Sequence, residues 1–239
     1  MLPEPTTRPR LVAEALGSDN PSVGSEPLTP TPVGGWNDVN QVSWYLERVG
    51  QLDARRDGEA VLVDALPASP LRALDLGCGD GRLSALVLDA RPTIESVVAV
   101  DRSAAMLDAA RRRFGDDARV EVRSWDLDDP IGPLGNFDVV VSGFAIHHLG
   151  HGRKRALFAE IAALLEPGGT FLNLEVVSSG SARRHAEFLT AIGRSADDPE
   201  DQLAAVEDQV TWMIAAGLVD VDCLWRWRGF ALLVGDGPM

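Results

Sequence analysis

Apolar segments of strand character alternate with amphipathic helical patterns from residue 71 onward, and this alternation limits the possible folds more than any other feature. The predicted strands are Leu71–Leu76, Ser96–Val100, Arg119–Val122, Phe137–Ser142, Thr170–Val177, Val219–Trp225 and Gly229–Val234. The predicted helices are Arg82–Asp89, Ser103–Phe114, Arg153–Leu165 and Leu203–Ala216. Strands that are hydrophobic along their length and alternate with helices indicate a mostly parallel sheet covered on both faces.

The last two predicted strands are connected differently from the others. Only a few residues around Arg226–Arg228 join them, and a parallel crossover needs a dozen or more. These two strands are therefore expected to pair antiparallel. The sequence predicts an α/β fold with a doubly wound, seven-stranded, mostly parallel sheet, an antiparallel C-terminal hairpin and a three-layer α/β/α sandwich.

The chain divides into three predicted regions. Residues 1–35 hold seven of the 15 prolines and are predicted to form a flexible arm. Residues 36–70 are predicted to form an N-terminal helical cap, because apolar residues recur at helical spacing and a second helical run, Asp57 to Leu66, stops at Pro67. Residues 71–239 form the predicted α/β domain. Its segment 178–202 interrupts the alternation and is interpreted as an insertion beside the substrate cleft, partly helical around Ala182–Ile192.

Composition excludes several classes of function. The net charge of -14 repels phosphate backbones and disfavours a nucleic-acid partner. No apolar run reaches the about 18 residues of a membrane-spanning helix, and the first ten residues lack a signal-peptide core, so a cytoplasmic location is expected. Two isolated cysteines and four histidines without metal-ligand spacing predict no metal site. A composition rich in arginine, with a single lysine, suggests a bacterial source.

Three glycines follow the first predicted strand and precede the helix that begins at Arg82. Gly77, Gly79 and Gly81 have the spacing G-x-G-x-G, whereas pyrophosphate-binding turns have G-x-G-x-x-G. Glycines at such a turn allow the backbone to approach a ligand closely. Asp75 and Asp80 flank the turn, which favours a ligand that carries positive charge over a pyrophosphate.

Two further acids follow the next two strands. Asp101 lies 24 residues after Gly77, where a carboxylate accepts hydrogen bonds from both hydroxyls of a ribose. The alternative is a residue that only precedes a helix, although Ser103 is the better N-cap. Asp126, after the third strand, is positioned to accept from the exocyclic amine of adenine, and the alternative is a solvated loop acid.

These motifs together resemble the class I (Rossmann-like) S-adenosylmethionine-dependent methyltransferases of the small-molecule type. The resemblance covers about residues 71–235 and rests on the order LDLGCGDG, VVAVD, WDL, FDVVVSGFAIHHL, LLEPGGTFLNLE and GFALLVG. It implies S-adenosyl-L-methionine as cofactor and S-adenosyl-L-homocysteine as product.

The resemblance also implies a set of cofactor contacts. Asp75, Gly77 and Gly79 would contact the methionine part, and Asp101 and Arg102 the ribose. The remaining implied contacts are Met106, Asp126 and Leu127 at the adenine, Ser142 and Gly143 near the sulfonium, and Tyr45 and Arg48 at the methionine carboxylate, as in some members.

Two adjacent histidines and one glutamate are the candidate catalytic residues. His147 and His148 follow the fourth strand, and a histidine that titrates near neutrality can take a proton from a hydroxyl. We expect His147 to face the pocket and His148 to support the fold; the alternative is that both are structural. Glu175, late in the fifth strand, would orient the acceptor or assist a histidine, unless it is a buried acid paired with an arginine.

The sequence thus predicts an enzyme that methylates a small molecule, with a hydroxyl of a natural product or sugar as the favoured acceptor, in secondary metabolism. A tRNA or nucleobase methyltransferase is the first alternative, but no basic stripe supports it. A binder of S-adenosylmethionine that does not methylate is the second. A homodimer is compatible with the sequence, which leaves the oligomeric state open.

Overall fold

The computed structural model describes residues 52–239, and its central element in this range is a sheet of seven strands. The strands are β1 (Arg72–Leu76), β2 (Ser96–Asp101), β3 (Val120–Ser124), β4 (Phe137–Gly143), β5 (Leu165–Val176), β6 (Val219–Trp227) and β7 (Phe230–Asp236). The helices are α1 (Asp53–Ala65), α2 (Arg82–Ala90), α3 (Ala104–Phe114), α4 (His151–Leu164), α5 (Ala182–Ala191) and α6 (Val206–Ala215).

The strand order is β3-β2-β1-β4-β5-β7-β6. Strands β1 to β5 pair in parallel, whereas β7 pairs antiparallel with both β5 and β6. The predicted fold class, including the antiparallel hairpin at the C-terminal end, is confirmed. Because the carboxyl ends of parallel strands meet at one edge, the loops after β1, β2, β3 and β4 converge there.

Alternate residues of each strand pack into two separate cores on opposite faces of the sheet. In β4, for example, Val140 belongs to one core, and Val139 and Val141 belong to the other. In β5 the neighbours Phe171 and Leu172 divide in the same way. This division explains why the inner strands are apolar on both faces, whereas the edge strands β3 and β6 alternate with exposed residues.

The observed boundaries depart from the predicted ones mainly at the starts of elements. β5 begins at Leu165 and not at Thr170, because Leu165 already pairs with Phe137 across a register shift that precedes the regular ladder. Gly168 has a φ of 74° in this irregular stretch. Helix α1 begins at Asp53, four residues before the predicted start, since no side-chain cap marks its N-terminus.

The predicted insertion, residues 178–202, contains helix α5 and the loop that follows it. Phe188 of α5 packs edge-on against Phe230, with ring centroids 5.1 Å apart, so the helix is fixed on the hairpin. No helix within residues 52–239 is long and apolar enough to cross a membrane. The predicted arm, residues 1–35, and the first part of the predicted helical cap, residues 36–51, lie outside the described residues.

Candidate active site

The glycine turn after β1 holds its shape through left-handed backbone conformations that favour glycine. Gly77, Gly79 and Gly81 have φ values of 70°, 54° and 78°. A Cβ on Gly77 would lie 2.2 Å from the Cβ of Ala145, which shows how closely the loop after β4 approaches the turn. The amides of Gly77 and Cys78 both donate to the carbonyl of Val100, which fixes the turn against the end of β2.

A cleft opens at the carboxyl edge of the sheet, above the glycine turn. It contains about 930 Å³ of open space, counting its mouth. Its walls come from the glycine turn, the loops after β2, β3 and β4, and the starts of α1 and α2. The predicted site residues among its lining are Asp75, Gly77, Gly79, Asp101, Arg102, Met106, Asp126, Leu127, Gly143 and His148.

Asp75 is the most deeply buried acid of this cleft. Its Oδ2 accepts from the Ser84 amide at 3.0 Å and from the Ser84 hydroxyl at 2.6 Å. Its Oδ1 is buried and has no hydrogen-bond partner among the described residues. Burial, and secondarily the negative charges of Asp101 and Asp80, raise the pKa of Asp75 to about 7. A cationic group in the cleft would therefore favour the ionised form of this acid.

Asp101 joins the end of β2 to both neighbouring loops. Its Oδ2 accepts from the Gly79 amide at 2.9 Å and its Oδ1 from the Ser103 amide at 2.8 Å. Ser103 is the N-cap of α3, as predicted, and its hydroxyl accepts from the Met106 amide. Burial raises the pKa of Asp101. Each carboxylate oxygen keeps an acceptor site beyond its backbone bond, so the side chain combines a structural contact with a place on the cleft wall.

Asp126 and Arg102 lie on the cleft wall and also make contacts of their own. Asp126 accepts through Oδ1 from the Asp128 amide at 3.0 Å, a local turn contact that leaves Oδ2 for other partners. The guanidinium of Arg102 pairs with Glu200 at 2.8 Å. Arg102 therefore connects the loop after β2 to the predicted insertion, a contact that the sequence did not indicate.

Ser142 is placed differently from the prediction. Its side chain is fully buried, and its hydroxyl donates to the carbonyl of Leu76 at 2.8 Å. The cleft floor is formed instead by the next three residues, 143–145. Ser142 therefore stabilises the contact between β4 and β1, because its side chain points between the strands and not toward the ligand.

Several cleft residues were missed by sequence reasoning. Arg82 makes a bidentate ion pair with Glu59, at 2.7 and 2.6 Å, and Arg55 donates to the same carboxylate at 2.8 Å. Both arginines line the cleft. Glu59 and Arg55 belong to α1, outside the recognisable motifs, so no sequence signal linked them to the glycine turn. Trp125 also lines the cleft, and its buried indole nitrogen lacks a hydrogen-bond partner in the described range.

The two histidine rings lie side by side, with centroids 3.9 Å apart, and the one that lines the cleft is not the one predicted. His148 lines the cleft, whereas His147 lies behind it and its Nδ1 is 2.6 Å from Oε1 of the fully buried Glu175. The turn of 3-10 helix Ile146–His148 buries His147 and leaves the ring of His148 at the cleft. Burial, together with the neighbouring His147, lowers the pKa of His148 to about 2, so this ring is neutral near pH 7. Glu175 is paired with a histidine and not with an arginine.

Asp201, from the predicted insertion, completes this group. Its Oδ1 lies 3.4 Å from Nε2 of His147 and 3.5 Å from Nδ1 of His148. The three side chains thus bring three potential metal-ligand atoms within 4.8 Å of one another. Sequence reasoning predicted no metal site, because Asp201 lies 53 residues beyond His148 and no local spacing links them.

A buried lysine holds this arrangement together. Lys154 of α4 is fully buried, and its ammonium donates to the carbonyls of His147, Leu149 and Gln202. The Gln202 amide in turn donates to the His147 carbonyl at 2.8 Å. The histidine turn and the end of the predicted insertion are therefore fixed to each other through their backbones.

The predicted contacts of Tyr45 and Arg48 lie outside the described residues. Glu175 and His147 do not line the cleft, and they reach it only through His148. The described cleft thus brings together the glycine turn, three acids, Met106 and one histidine, with two arginines that were not predicted.

Comparison with known proteins finds methyltransferases among the matches. Residues 73–169 match a family described as a methyltransferase domain. The trans-aconitate 2-methyltransferase of Streptomyces coelicolor is 36% identical over 193 residues, which are 72% of this chain and 58% of the relative. An uncharacterized methyltransferase of Mycobacterium tuberculosis is 35% identical over 112 residues, 47% of this chain and 54% of the relative. The chain thus spans about half the length of these curated relatives.

Solved structures show the same fold at low identity. An O-methyltransferase family protein from Burkholderia thailandensis has a TM-score of 0.66 at 21% identity, over 84% of this chain and 60% of that one. Human N-acetylserotonin methyltransferase, solved in complex with S-adenosylmethionine, has a TM-score of 0.65 at 14% identity, over 85% of this chain and 58% of that one. At such identities the likeness concerns the fold.

Proposed function

Because this chain belongs to the class I, S-adenosylmethionine-dependent methyltransferases, we propose that its cleft binds S-adenosylmethionine and that it transfers the methyl group to a small-molecule acceptor. The observation that carries the proposal is the cleft itself, in which a left-handed glycine turn and three acids from successive strands line one space. The acids suit a nucleoside whose amino-acid part carries positive charge.

The polar atoms of the cleft fit such a ligand. Oδ1 of Asp75 and the indole nitrogen of Trp125 are buried cleft atoms without a partner in the described part of the chain, one an acceptor and one a donor. Buried polar atoms are rarely left unpaired, so each has capacity for a ligand contact. A Cβ on Gly79 would meet nothing nearer than the Met106 sulfur at 3.8 Å, which indicates open space above the turn.

Each cleft residue then has a proposed role. Asp75 faces the ammonium group, Asp101 accepts from the ribose hydroxyls, and Asp126 accepts from the adenine amine while Met106 packs against the ring. Arg55 and Arg82 lie where guanidinium groups would attract the carboxylate of the amino-acid part. Tyr45 and Arg48 stay proposed additional contacts.

When bound, the cofactor supplies a methyl group on a positively charged sulfur, so the protein has mainly to align the acceptor and exclude water. Phe144 and His148 line the cleft from the loop after β4. We propose that His148 contacts the acceptor oxygen and that His147 and Glu175 position it from behind. The prediction that one of these residues takes the acceptor proton stays a prediction. A hydroxyl of a natural product or sugar is the proposed acceptor.

Titration calorimetry with S-adenosylhomocysteine tests the binding step. We expect binding by the intact chain, loss of at least tenfold in affinity for Asp101→Ala, and no change for Asp129→Ala, an exposed acid that does not line the cleft. Absence of binding by the intact chain would overturn the proposal. Mass spectrometry of an acceptor panel then identifies products that have gained a methyl group. A product on a tRNA or nucleobase, or cofactor binding without any product, would support the corresponding alternative.

A carboxylate acceptor is a second candidate, favoured by a group of arginines. Arg184, Arg226 and Arg228 surround a surface cavity with Ser179 and Gly180, at the same edge of the sheet as the cleft. Glu187, paired with Arg184 and 3.9 Å from Arg228, only partly neutralises this group. A relative named for trans-aconitate makes a polycarboxylate a reasonable member of the acceptor panel. Selective loss of carboxylate turnover in Arg228→Gln would support this candidate.

The proposed setting follows the sequence analysis. A cytoplasmic location, a bacterial source and a role in secondary metabolism remain predictions, as does a homodimer.

A further inference from the structure

We propose that His147, His148 and Asp201 bind one divalent transition-metal ion of the Zn²⁺ class at the wall of the cleft. The proposed ligand atoms are Nε2 of His147, Nδ1 of His148 and Oδ1 of Asp201, and the three side chains offer ligand atoms within 4.8 Å of one another. Metal binding does not depend on methyl transfer, whereas its use in catalysis rests on the proposed function.

The two distances from the Asp201 oxygen to the histidine nitrogens match the edges of a metal tetrahedron. With bonds of about 2.0–2.2 Å to nitrogen and oxygen, neighbouring ligands of a tetrahedral Zn²⁺ ion are separated by about 3.3–3.5 Å. The observed separations are 3.4 Å from Asp201 to His147 and 3.5 Å to His148. Octahedral Mg²⁺ would need edges of about 2.9 Å and prefers oxygen ligands, so two imidazoles disfavour it.

The hydrogen bond of His147 orients its other nitrogen toward the proposed ion. At 2.6 Å from Oε1 of Glu175, the Nδ1–H donates to a carboxylate, which leaves the lone pair of Nε2 facing Asp201. A proton between Nε2 and Asp201 would give a charge-assisted bond of about 2.7–2.9 Å, shorter than the 3.4 Å observed. A histidine that binds metal through one nitrogen and a carboxylate through the other is a recurrent arrangement in metalloproteins.

The burial of Asp201 is a second observation, separate from the distances, that indicates a bound cation. Its side chain is only 8% exposed, and Oδ1 is buried without a hydrogen-bond partner among residues 52–239. Its other oxygen accepts from the Asp198 amide, at 3.2 Å. A buried carboxylate oxygen without a hydrogen-bond partner is costly, and a cation bound between it and the two imidazole nitrogens would offset that cost.

The surroundings also favour a cation in charge and in rigidity. The two carboxylates of Asp201 and Glu175 outnumber the one ammonium group of Lys154. The ammonium donates to three backbone carbonyls. That ammonium fixes the backbone of Gln202, next to Asp201, to that of His147. The ligand atoms are therefore held in place before any ion binds, which reduces the cost of ordering them.

Three protein ligands leave a fourth position, as in catalytic zinc sites. Since His148 lines the cleft, an acceptor oxygen has access to this position. Coordination there would lower the pKa of an acceptor hydroxyl, whose proton would leave to solvent water. The ion would thus take over the task for which a histidine base was predicted.

The test uses the full chain, freed of any affinity tag, stripped with a chelator and titrated with Co²⁺. We expect one ion per chain and the visible absorption bands of a four-coordinate Co²⁺ ion, which Zn²⁺ displaces. Asp201→Asn and His148→Ala should each lose these bands, and Glu175→Gln should bind about 10- to 100-fold more weakly. Two ligand variants are used so that misfolding of one leaves the other informative.

A second histidine–aspartate pair provides the matched control. His185 and Asp197 are 2.7 Å apart on the surface, and no third ligand group joins them within residues 52–239. The double variant His185→Gln, Asp197→Asn should therefore bind Co²⁺ like the parent. Absence of Co²⁺ binding by the parent, or unchanged bands in Asp201→Asn and His148→Ala, would overturn the proposal. Parallel calorimetry with S-adenosylhomocysteine separates this failure from a failure of the proposed function.

Discussion

Asp75 is a residue whose ionisation should connect the pH to cofactor binding. Burial raises its pKa to about 7 from an ordinary 3.8, so the ligand-free folded protein holds this proton more tightly than the unfolded chain does. The associated stability is present below about pH 4 and is lost as the pH rises through 7. A ligand with an ammonium group prefers the carboxylate, so affinity should change in the opposite direction. We expect S-adenosylhomocysteine to bind about tenfold more weakly at pH 6 than at pH 8.

Calorimetry across this pH range measures the effect, with Asp75→Asn and Asp129→Asn as the pair of variants. Asp75→Asn should bind weakly with no dependence on pH, whereas Asp129→Asn should follow the parent curve, since its side chain is exposed and outside the cleft. The same slope in Asp75→Asn as in the parent would assign the titration to another group.

Gly77 allows a second prediction at the residue scale, because two separate costs act on any side chain there. The φ of 70° costs an L-residue about 1 kcal/mol, and a Cβ would lie 2.2 Å from that of Ala145, for which overpacking adds about 1–3 kcal/mol. Gly168 has a similar φ of 74°, and its nearest neighbour, the Met239 sulfur, would lie 3.7 Å from a Cβ, so Gly168→Ala should show the first cost alone. Urea unfolding should therefore find Gly77→Ala the more destabilised variant by at least 1 kcal/mol. Equal losses of unfolding free energy in the two variants would show that the loop after β4 moves to accommodate the Cβ at no measurable cost.

The residues of the site were predictable to the extent that they follow strands directly. The acids Asp75, Asp101 and Asp126 line the cleft as predicted, because the end of a parallel strand fixes where the next residues point. The orientation of His147 and His148 was wrong, since it depends on one turn of 3-10 helix that periodicity does not reveal. Asp201 was missed because its place depends on tertiary contacts of a long connection.

Lys154 gives the prediction at the scale of elements, since it joins α4, the histidine turn and the end of the predicted insertion. Lys154→Met would leave three buried carbonyls without their ammonium donor, and we expect a loss of about 3 kcal/mol. Arg155→Met removes the same charge from the exposed side of the same helix. It should cost about 0.5–1 kcal/mol, because the guanidinium only stacks over Trp212.

Hydrogen exchange distinguishes a local effect from a global one in these variants. Amides around Gln202 should exchange faster in Lys154→Met than in Arg155→Met at matched overall stability, because the segment loses its anchor to α4. Uniform acceleration across the sheet would instead place the loss in the core.

Element boundaries were predicted within a few residues where a cap or a glycine marks them. Ser103 before α3 is an example, and the structure confirms it. The early start of β5 was not predictable, because the stretch before Thr170 pairs with β4 through an irregular register that leaves no alternation in the sequence. Local signals thus determine the ends of helices better than the ends of buried strands, which depend on their neighbours.

The topology of the whole molecule followed from the alternation of elements and from one short connection. A parallel order with an antiparallel closing hairpin needs only the lengths of the loops, and these are visible in the sequence. The arginine-lined cavity could not be predicted from the sequence. The chain has a net charge of -14, and Arg184 is far in sequence from Arg226 and Arg228.

Residues 52–239 already contain a complete sheet with both faces covered, and helix α1 packs on the hairpin side of it. Removal of residues 1–35 should therefore leave both the melting temperature and the affinity for S-adenosylhomocysteine unchanged within twofold. Removal of residues 1–51 also deletes Tyr45 and Arg48, the proposed contacts of the cofactor carboxylate. Loss of one charge-assisted contact, worth about 1.5 kcal/mol, should weaken binding about tenfold while the fold persists. Thermal unfolding and calorimetry on the two truncated chains measure both quantities. Equal affinities would assign the carboxylate to Arg55 and Arg82 alone, and weaker binding already in the shorter deletion would place a ligand contact within the predicted arm.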